Sequence, residues 1–501
     1  MTPFERLGGI VAAFVLMLPQ TGLVADTRAD EPEADAVSTR DESEGESKRE
    51  PAYRLAPVTV EAVPQAASYG LDGRYRSGGS TFATGGTVSS LRDTPFSASI
   101  LEEDFLKDSG LKRLDRTAQF VPGVQMGNLS SNTVQVFQSR GFQLGRDSIL
   151  INGTRQADAF AITPEELVGK IEFYRGPSSI LNGATPPGGA ANIVTKKPLA
   201  DPFVGFELDL DEHGERRFAA DLNSGTLDPG VPLSLRFNAM AEDSETFRDA
   251  VERQVQAFAP VMTVDLTSRT RLTVEANLID WEATDDRGLP LLGGSSDKAA
   301  RRFERSDFLL GTTAATNDRE QQRYMLDLSH RWSPNLRFNL QATLGETERS
   351  FFSVFPVFFD ESSSTLARAH FGTEDAFDSV DVRADAVFNF ETGPLYHAGI
   401  VAVQYRDFEW RDRFTGFVAP ADSIDVTNPA TDLPFLAAEG PAGGLQIDQE
   451  SRELLLQDAV TVTQGPLEGL KLIGGARLID FDDKLDSGLD EDRWVPRIGA
   501  G

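Results

Sequence analysis

The chain has 501 residues, carries 48 Lys and Arg against 78 Asp and Glu for a formal net charge of −30, and contains no cysteine. That balance excludes a nucleic-acid partner, whose binding needs clustered Lys and Arg. The absent cysteines exclude a disulfide framework, so stability has to come from packing and backbone pairing.

In chain order, the first feature is the apolar stretch Gly8 to Leu18. It is too short to be a membrane helix and reads as the h-region of a signal peptide over residues 1–25, with cleavage expected after Ala25. Its n-region is weak, because Glu5 balances Arg6. Residues 26–86 are expected to form a disordered tether, since Asp26 to Glu50 is acidic and lacks aromatics. Within it, Pro57-Val58-Thr59-Val60-Glu61-Ala62 is a β-prone island. An exposed, extended peptide of this kind can add itself to the edge of a partner's sheet, or it can be an unused patch in a tail.

Residues 87–198 read as a compact α+β unit. Leu101 to Lys107 and Leu111 to Phe120 have helical spacing, and Pro122-Gly123 ends the second. Thr163-Pro164-Glu165-Glu166 predicts a helix start, with Thr163 as N-cap, Pro164 at the first position and a Glu completing the capping box. Short strands are expected at Ser148 to Asn152, Lys170 to Tyr174 and Ala191 to Thr195.

Residues 199–501 change character again. Eleven runs of period-two hydrophobicity fill 203 to 481, each about ten residues, the length a tilted strand needs to cross a bilayer. Val204, Phe206, Leu208 and Leu210 alternate with Gly205, Glu207, Asp209 and Asp211, giving one lipid face and one wet face. Later runs repeat the pattern, for example Leu272, Val274, Ala276 and Leu278 against Arg271, Thr273, Glu275 and Asn277. Tight connectors at Thr267 to Arg269, Ser333 to Asn335, Glu391 to Pro394 and Gln464 to Glu468 alternate with long polar loops at Glu282 to Glu320, Arg349 to Ser379 and Arg411 to Gln449. A membrane β-barrel has short turns on one side and longer loops on the other, whereas a soluble all-β repeat keeps similar loops at both ends. Trp494 to Gly499 begins a twelfth run.

Seven motifs occur in order before the strands. They are Phe120-Val121-Pro122-Gly123-Val124, Arg140-Gly141-Phe142, Ile151-Asn152-Gly153, Ile171-Glu172, Arg175-Gly176-Pro177-Ser178-Ser179 with Gly183, Pro187-Gly188-Gly189, and Asn192-Ile193-Val194-Thr195-Lys196-Lys197-Pro198. The series resembles the plug domain of TonB-dependent siderophore receptors, and the resemblance covers nearly everything after Arg54. It implies an α+β plug followed by antiparallel transmembrane β-barrel strands, about 11 to 12 of an expected 22. It also implies that Pro57 to Ala62 is the TonB box. Three residues depart from the pattern: Ser139 stands where an apolar residue is usual, Asn152 replaces an Asp and Lys170 replaces an Arg. These polar swaps are expected to weaken a plug-to-wall contact without disturbing the family pattern.

The motifs also have a physical reading. Gly141, Gly153, Gly176, Gly183, Gly188 and Gly189 permit the positive φ and close backbone approach that a domain inside a cylinder needs. Arg140, Glu172, Arg175 and Lys196 need partners once enclosed, among themselves or with lumen-facing Glu207, Asp209 and Arg236. The glycine-rich run Gly183 to Gly189 lacks the Gly-Lys-Ser/Thr ending of a phosphate cradle. Size points the same way. A domain of about 140 residues has a radius near 14 Å, an 11-strand barrel one of roughly 11 Å, and a 22-strand barrel about twice that. The expectation is therefore the N-terminal half of a receptor, present as a fragment, a truncated gene or a wall completed by another polypeptide.

The function this implies is energised uptake of a ferric siderophore across the Gram-negative outer membrane, with TonB as partner and lipid around the wall. Iron would enter only as part of a chelate, with no intrinsic cofactor and no metal site. Plug loops carrying Asn128, Ser130, Gln143, Arg146, Arg155 and Phe160 are expected to face the ligand, joined by Phe351 and Phe355 from a long loop. Arg146 and Arg155 could equally be solvated or paired to the wall, and the phenylalanines could form an aromatic girdle, as could Trp281. Haem, cobalamin and sugar receptors share the architecture, and a non-transporting remnant that binds TonB alone is a further alternative. A passive porin fits poorly with a plug and tether. A catalytic reading has little support: His213, His330, His370 and His397 are scattered, without a Gly-x-Ser-x-Gly or His-Glu-x-x-His pattern. His213 beside Asp209, Asp211 and Glu212 could be a metal site or an acidic hairpin tip.

Overall fold

A computed structural model of the chain describes residues 97–127, 133–145, 147–158, 161–176, 186–227, 230, 232–289, 309–360, 362–427, 443–484 and 491–500. The signal peptide, the tether, the Pro57 to Ala62 island, and Asn128, Ser130, Arg146, Phe160 and Pro177 lie outside the described residues.

Two layers follow one another in sequence. The first holds β1 (Ser97–Glu102), α1 (Glu103–Ser109), β2 (Val124–Met126), β3 (Phe137–Ser139), β4 (Phe142–Leu144), β5 (Ile149–Ile151), β6 (Thr154–Arg155), β7 (Val168–Arg175) and β8 (Gly189–Thr195). Its sheets run β1-β7-β8-β5-β6 and β2-β3-β4. They close on a core of Leu106, Leu114, Phe137, Ile171, Phe173 and Ile193, all nearly inaccessible. Asn152 and Gly153 both have positive φ, 49° and 83°, which is the tight two-residue turn that joins β5 to β6.

The second layer is one antiparallel sheet of twelve strands in strict sequence order: β9 (Phe203–Leu210), β10 (Arg216–Thr226), β11 (Leu233–Glu245), β12 (Glu252–Thr267), β13 (Thr270–Ala283), β14 (Asn317–Ser333), β15 (Leu336–Asp360), β16 (Thr365–Thr392), β17 (Leu395–Asp425), β18 (Gly443–Val462), β19 (Lys471–Asp483) and β20 (Glu491–Ala500). These are the eleven expected runs and the twelfth. Side chains alternate because successive residues of a strand point to opposite faces. Val204, Phe206, Leu208 and Leu210 are 67 to 69% exposed on the convex face, while Arg236, Glu275 and Arg319 are buried on the concave one. No described helix is long and apolar enough to cross a membrane, so any crossing belongs to the strands.

Several expectations are corrected. Thr163 to Glu166 starts no α-helix: one 3-10 turn (Glu165–Leu167) forms, with Pro164 at its cap and no side-chain cap bond. The β-branched Val168 and Ile171 leave at once into β7, which pairs with β1 and β8, so sheet pairing overrides the local start signal. Leu101 and Glu102 finish β1 instead of opening a helix, and Leu111 to Phe120 narrows to a 3-10 segment (Leu114–Phe120). Arg349 to Ser379 is not a loop, because β15 and β16 stay paired out to Asp360 and Thr365. Most of Arg411 to Gln449 is likewise strand, with β17 running to Asp425. Strand length is therefore not uniformly ten: β15, β16 and β17 have 25, 28 and 31 residues.

Candidate functional site

The α+β layer sits on the concave, wet face of the sheet, and three groups of polar contacts fix it there. At the centre, the Asn152 amide donates to Thr195 Oγ1 (2.7 Å) and to Glu275 Oε1 (3.1 Å), and its Oδ1 accepts from the Thr195 backbone N–H (3.1 Å). Glu275 also takes Thr195 Oγ1 (2.7 Å) and pairs with Lys197. The swap from Asp to Asn thus strengthens a contact to the wall, contrary to the expectation, because only an amide can donate to a carboxylate there. The other departures are satisfied too. Ser139 donates to the Gly188 carbonyl (2.7 Å) and Lys170 pairs with Glu172 (2.8 Å).

Beside α1, Lys196 reaches Asp221 (3.0 Å) and Glu103 (3.3 Å), and Arg236 joins both carboxylates. Arg217 pairs with Glu166, while burial and then the neighbouring Glu166 push the Glu165 carboxyl up to about 8. Lys112 meets Asp209 (3.5 Å) and Glu215 at the first hairpin tip. That tip is built by Asp211, which accepts from the backbone N–H groups of His213 and Glu215, both at 2.9 Å.

Next to the loop that follows β13, the buried Arg319 grips two loops of the inner layer: Nε donates to Asp158 (3.1 Å) and Nη1 to the Thr133 carbonyl. Asn317 donates to Thr133 Oγ1 (2.8 Å). Ala157 is wedged among Phe377 and Phe408. Above these loops the concave faces of β15, β16 and β17 form an aromatic mouth. Phe351 meets Phe371 edge-on at 5.2 Å, Phe355 meets the same ring at 5.9 Å, and Phe377 stacks on Trp410 at 5.6 Å. Two guanidiniums lie over Phe351: Arg287 at 5.5 Å and Arg349 at 5.9 Å. Arrayed cations on aromatic faces suit a ligand that is both anionic and ring-bearing.

A stopper docked in a concave strand wall is the arrangement that the comparisons recognise. The TonB-dependent Receptor Plug Domain model matches residues 90–190, and the TonB dependent receptor-like, beta-barrel model matches residues 260–501. The chain belongs to the TonB-dependent receptor family. That family is one of receptors, and its place is the Gram-negative outer membrane. The metal-pseudopaline receptor of Pseudomonas aeruginosa (strain UCBPP-PA14) is 31% identical over 235 residues, 47% of this chain and 33% of its own length. The ferrioxamine B receptor of Salmonella typhimurium (strain SL1344) is 22% identical over 345 residues, 67% of this chain and 49% of its own. The chain thus spans half or less of these curated relatives. The crystal structure of the ferripyoverdine receptor of the outer membrane of Pseudomonas aeruginosa, bound to ferripyoverdine, superposes with a TM-score of 0.74 at 19% identity. It covers 87% of this chain and 58% of that one, a likeness of fold.

Within this TonB-dependent receptor the expected site residues separate. Phe351 and Phe355 are half-buried in the mouth, on strand β15 and not in a loop. Arg155 is nearly buried and reaches Asp147 (3.7 Å) and Glu453 (3.8 Å), so it is wall-paired. Gln143 is exposed on β4 opposite Gln138. Among the plug motifs, Gly189 starts β8 at φ 107°, where a Cβ would lie 1.8 Å from the Tyr174 carbonyl oxygen. Asn192 donates to Glu172 (3.0 Å). Arg175 donates to the Pro122 carbonyl (2.6 Å) and Ser99 (3.0 Å), which corrects the expectation of a carboxylate partner. Trp281 belongs to no girdle, being buried against Ile162 and Leu167 beneath Arg253. Asp158, Arg319, Arg349, Asp375 and Trp410 were not singled out by sequence. Arg319 lay inside the stretch read as the polar loop Glu282 to Glu320, and its partner is 161 residues away.

Proposed function

We propose that this receptor carries a ferric siderophore across the outer membrane. The observation that supports it is the plug seated on the wet face of the wall beneath a mouth of phenylalanines and arginines. An anionic chelate of iron meets cations at Arg287 and Arg349 and apolar faces at Phe351 and Phe355. Asn128, Ser130, Gln143, Arg146 and Phe160 are the further contacts this reading assigns, and iron enters only as part of the chelate. A plugged wall has no open route for diffusion, so energy has to come from outside the barrel. In this reading residues 1–25 are a leader, 26–86 a tether, 87–198 the plug and 199–501 the wall. Pro57 to Ala62 pairs as an added strand with TonB, which remodels the plug.

The test uses the complete product of the gene in outer-membrane vesicles, titrated with ferrioxamine B, ferrichrome and ferripyoverdine while tryptophan fluorescence is followed. At least one should bind, and Phe351→Ala should weaken it roughly tenfold, the usual scale for losing a buried aromatic contact. Deleting 57–62 should leave that affinity unchanged and abolish iron accumulation in cells. Binding of none of the three, or undiminished accumulation after the deletion, would discard the proposal.

A further inference from the structure

Arg349, on β15, is held from both sides. Its Nε donates to Asp375 Oδ2 (2.8 Å) and its Nη2 pairs with the same carboxylate, which the Trp410 indole N–H fixes from behind (2.9 Å). Its Nη1 faces the plug, where Asp158 Oδ1 is 3.8 Å away, an ion pair beyond hydrogen-bond length. The guanidinium carbon lies 5.9 Å from the Phe351 ring and 5.7 Å from the Phe377 ring. One arginine therefore touches the aromatic mouth, the wall and the plug together.

We propose that Arg349 is a latch with two positions. Without ligand its Nη1 holds the plug carboxylate Asp158 against the wall. An anionic oxygen of a chelate in the mouth takes Nη1 instead, and the plug loop around residues 155 to 158 is loosened. The inference rests on the siderophore reading above.

Three features make the exchange physically balanced. The contact to Asp158 is the longest that Arg349 makes, so it breaks first, while the pair with Asp375 serves as pivot. An Nη1 so placed can form a full charge-assisted bond to a ligand oxygen, stronger than the 3.8 Å contact it gives up. Asp158 is not orphaned, because Arg319 already donates to its Oδ2 (3.1 Å). Arg319 Nη2, which is buried and has no acceptor among the described residues, is available for Oδ1. Leaving a buried carboxylate without a donor would oppose release, and this second arginine removes that obstacle. Arg349 is thus a positioning residue for the plug as well as a ligand contact.

Hydrogen exchange of the complete gene product in outer-membrane vesicles tests it, read on the amides of Gln156 to Asp158. In the ligand-free state Arg349→Ala should raise exchange there by about three- to tenfold, the scale of a partly buried ion pair. Arg349→Lys, which keeps the charge and fits the same space, should restore part of the protection. Whichever of ferrioxamine B, ferrichrome or ferripyoverdine binds should raise exchange at these amides in the wild type and leave Arg349→Ala unchanged. Asp158→Asn, which removes the competitor for Nη1, should tighten that ligand about threefold, where a merely structural residue would weaken it. The latch is overturned if ligand-free Arg349→Ala and Arg349→Lys both exchange like the wild type, or if ligand raises exchange equally in Arg349→Ala. Should none of the three chelates bind, the siderophore reading fails, and the ligand-free comparison still decides whether Arg349 holds the loop.

Discussion

Replacing Asn152 by Asp restores the residue usual in the family pattern, and in this chain it should undo the docking of the plug. The wild-type amide donates to Glu275 Oε1 at 3.1 Å and to Thr195 Oγ1 at 2.7 Å. An aspartate loses both donations and sets two carboxylates about 3 Å apart. With an effective dielectric of about 20 that repulsion is about 5 kcal/mol, and the two lost bonds add about 1 kcal/mol each. Lys197, already paired with Glu275, and protonation of one carboxyl offset much of this, so we expect a net cost of about 3 kcal/mol at pH 7.5. For a plug of roughly 110 residues that corresponds to a fall of about 10 to 20 °C in its melting temperature. Differential scanning calorimetry in detergent reads the plug transition directly. The deficit should shrink on acidification, as one carboxyl takes up a proton, and Asn152→Asp combined with Glu275→Gln should recover most of it. A plug that melts within 2 °C of the wild type, or a double variant no better than Asn152→Asp alone, would refute this electrostatic account.

Three other outcomes are expected. Glu165 titrates near 8 in the docked plug, above the usual carboxylate range, so the docked state binds its proton more tightly than the free one; plug stability should rise as pH falls from about 8 towards 5, and Glu165→Gln should flatten that slope in calorimetric melts. Gly189→Ala forces a methyl onto the Tyr174 carbonyl at positive φ and should cost more than about 3 kcal/mol, seen as protease sensitivity of the plug with the wall still resistant. Arg368, fully buried, donates to the Leu310 and Gly311 carbonyls (both 2.7 Å) and to Asp422; Arg368→Ala should free that loop at about 3 to 5 kcal/mol and give a new cleavage site between 309 and 316 in limited proteolysis.

The wall was legible because its signal is local. Alternation at Val204 to Leu210 needs no knowledge of distant partners, and tight turns such as Thr267 to Arg269 announce themselves by composition. The outer halves of β15 to β17 were hidden by the same rule. Above the lipid there is no apolar solvent to enforce alternation, so Arg349, Ser350, Glu374 and Asp375 read as loop although their backbones stay paired. Inside the plug, the Thr163 to Glu166 start signal was real but too short to compete with the pairing of β7. At the site, chemistry at one position was readable and pairing was not. That Asn152 answers Glu275, or Asp158 answers Arg319, follows only from the docking of two layers whose contacts span more than a hundred residues.

The paired strands β15 to β17 have a further consequence. About ten residues suffice to cross the lipid, so 28 and 31 residues at about 3.3 Å each carry the sheet tens of ångströms beyond it. A rim made of hydrogen-bonded ribbon is a standing chimney: it cannot fold over by turning a few dihedrals, and its easiest bends are the irregularities near His370 and Thr373. On the proposed uptake reading, what enters would then be sorted by the side chains papering the inside of that rim. Divergence of cargo among such proteins should accordingly be written as exchanges at alternate strand positions, with the height of the rim left unchanged.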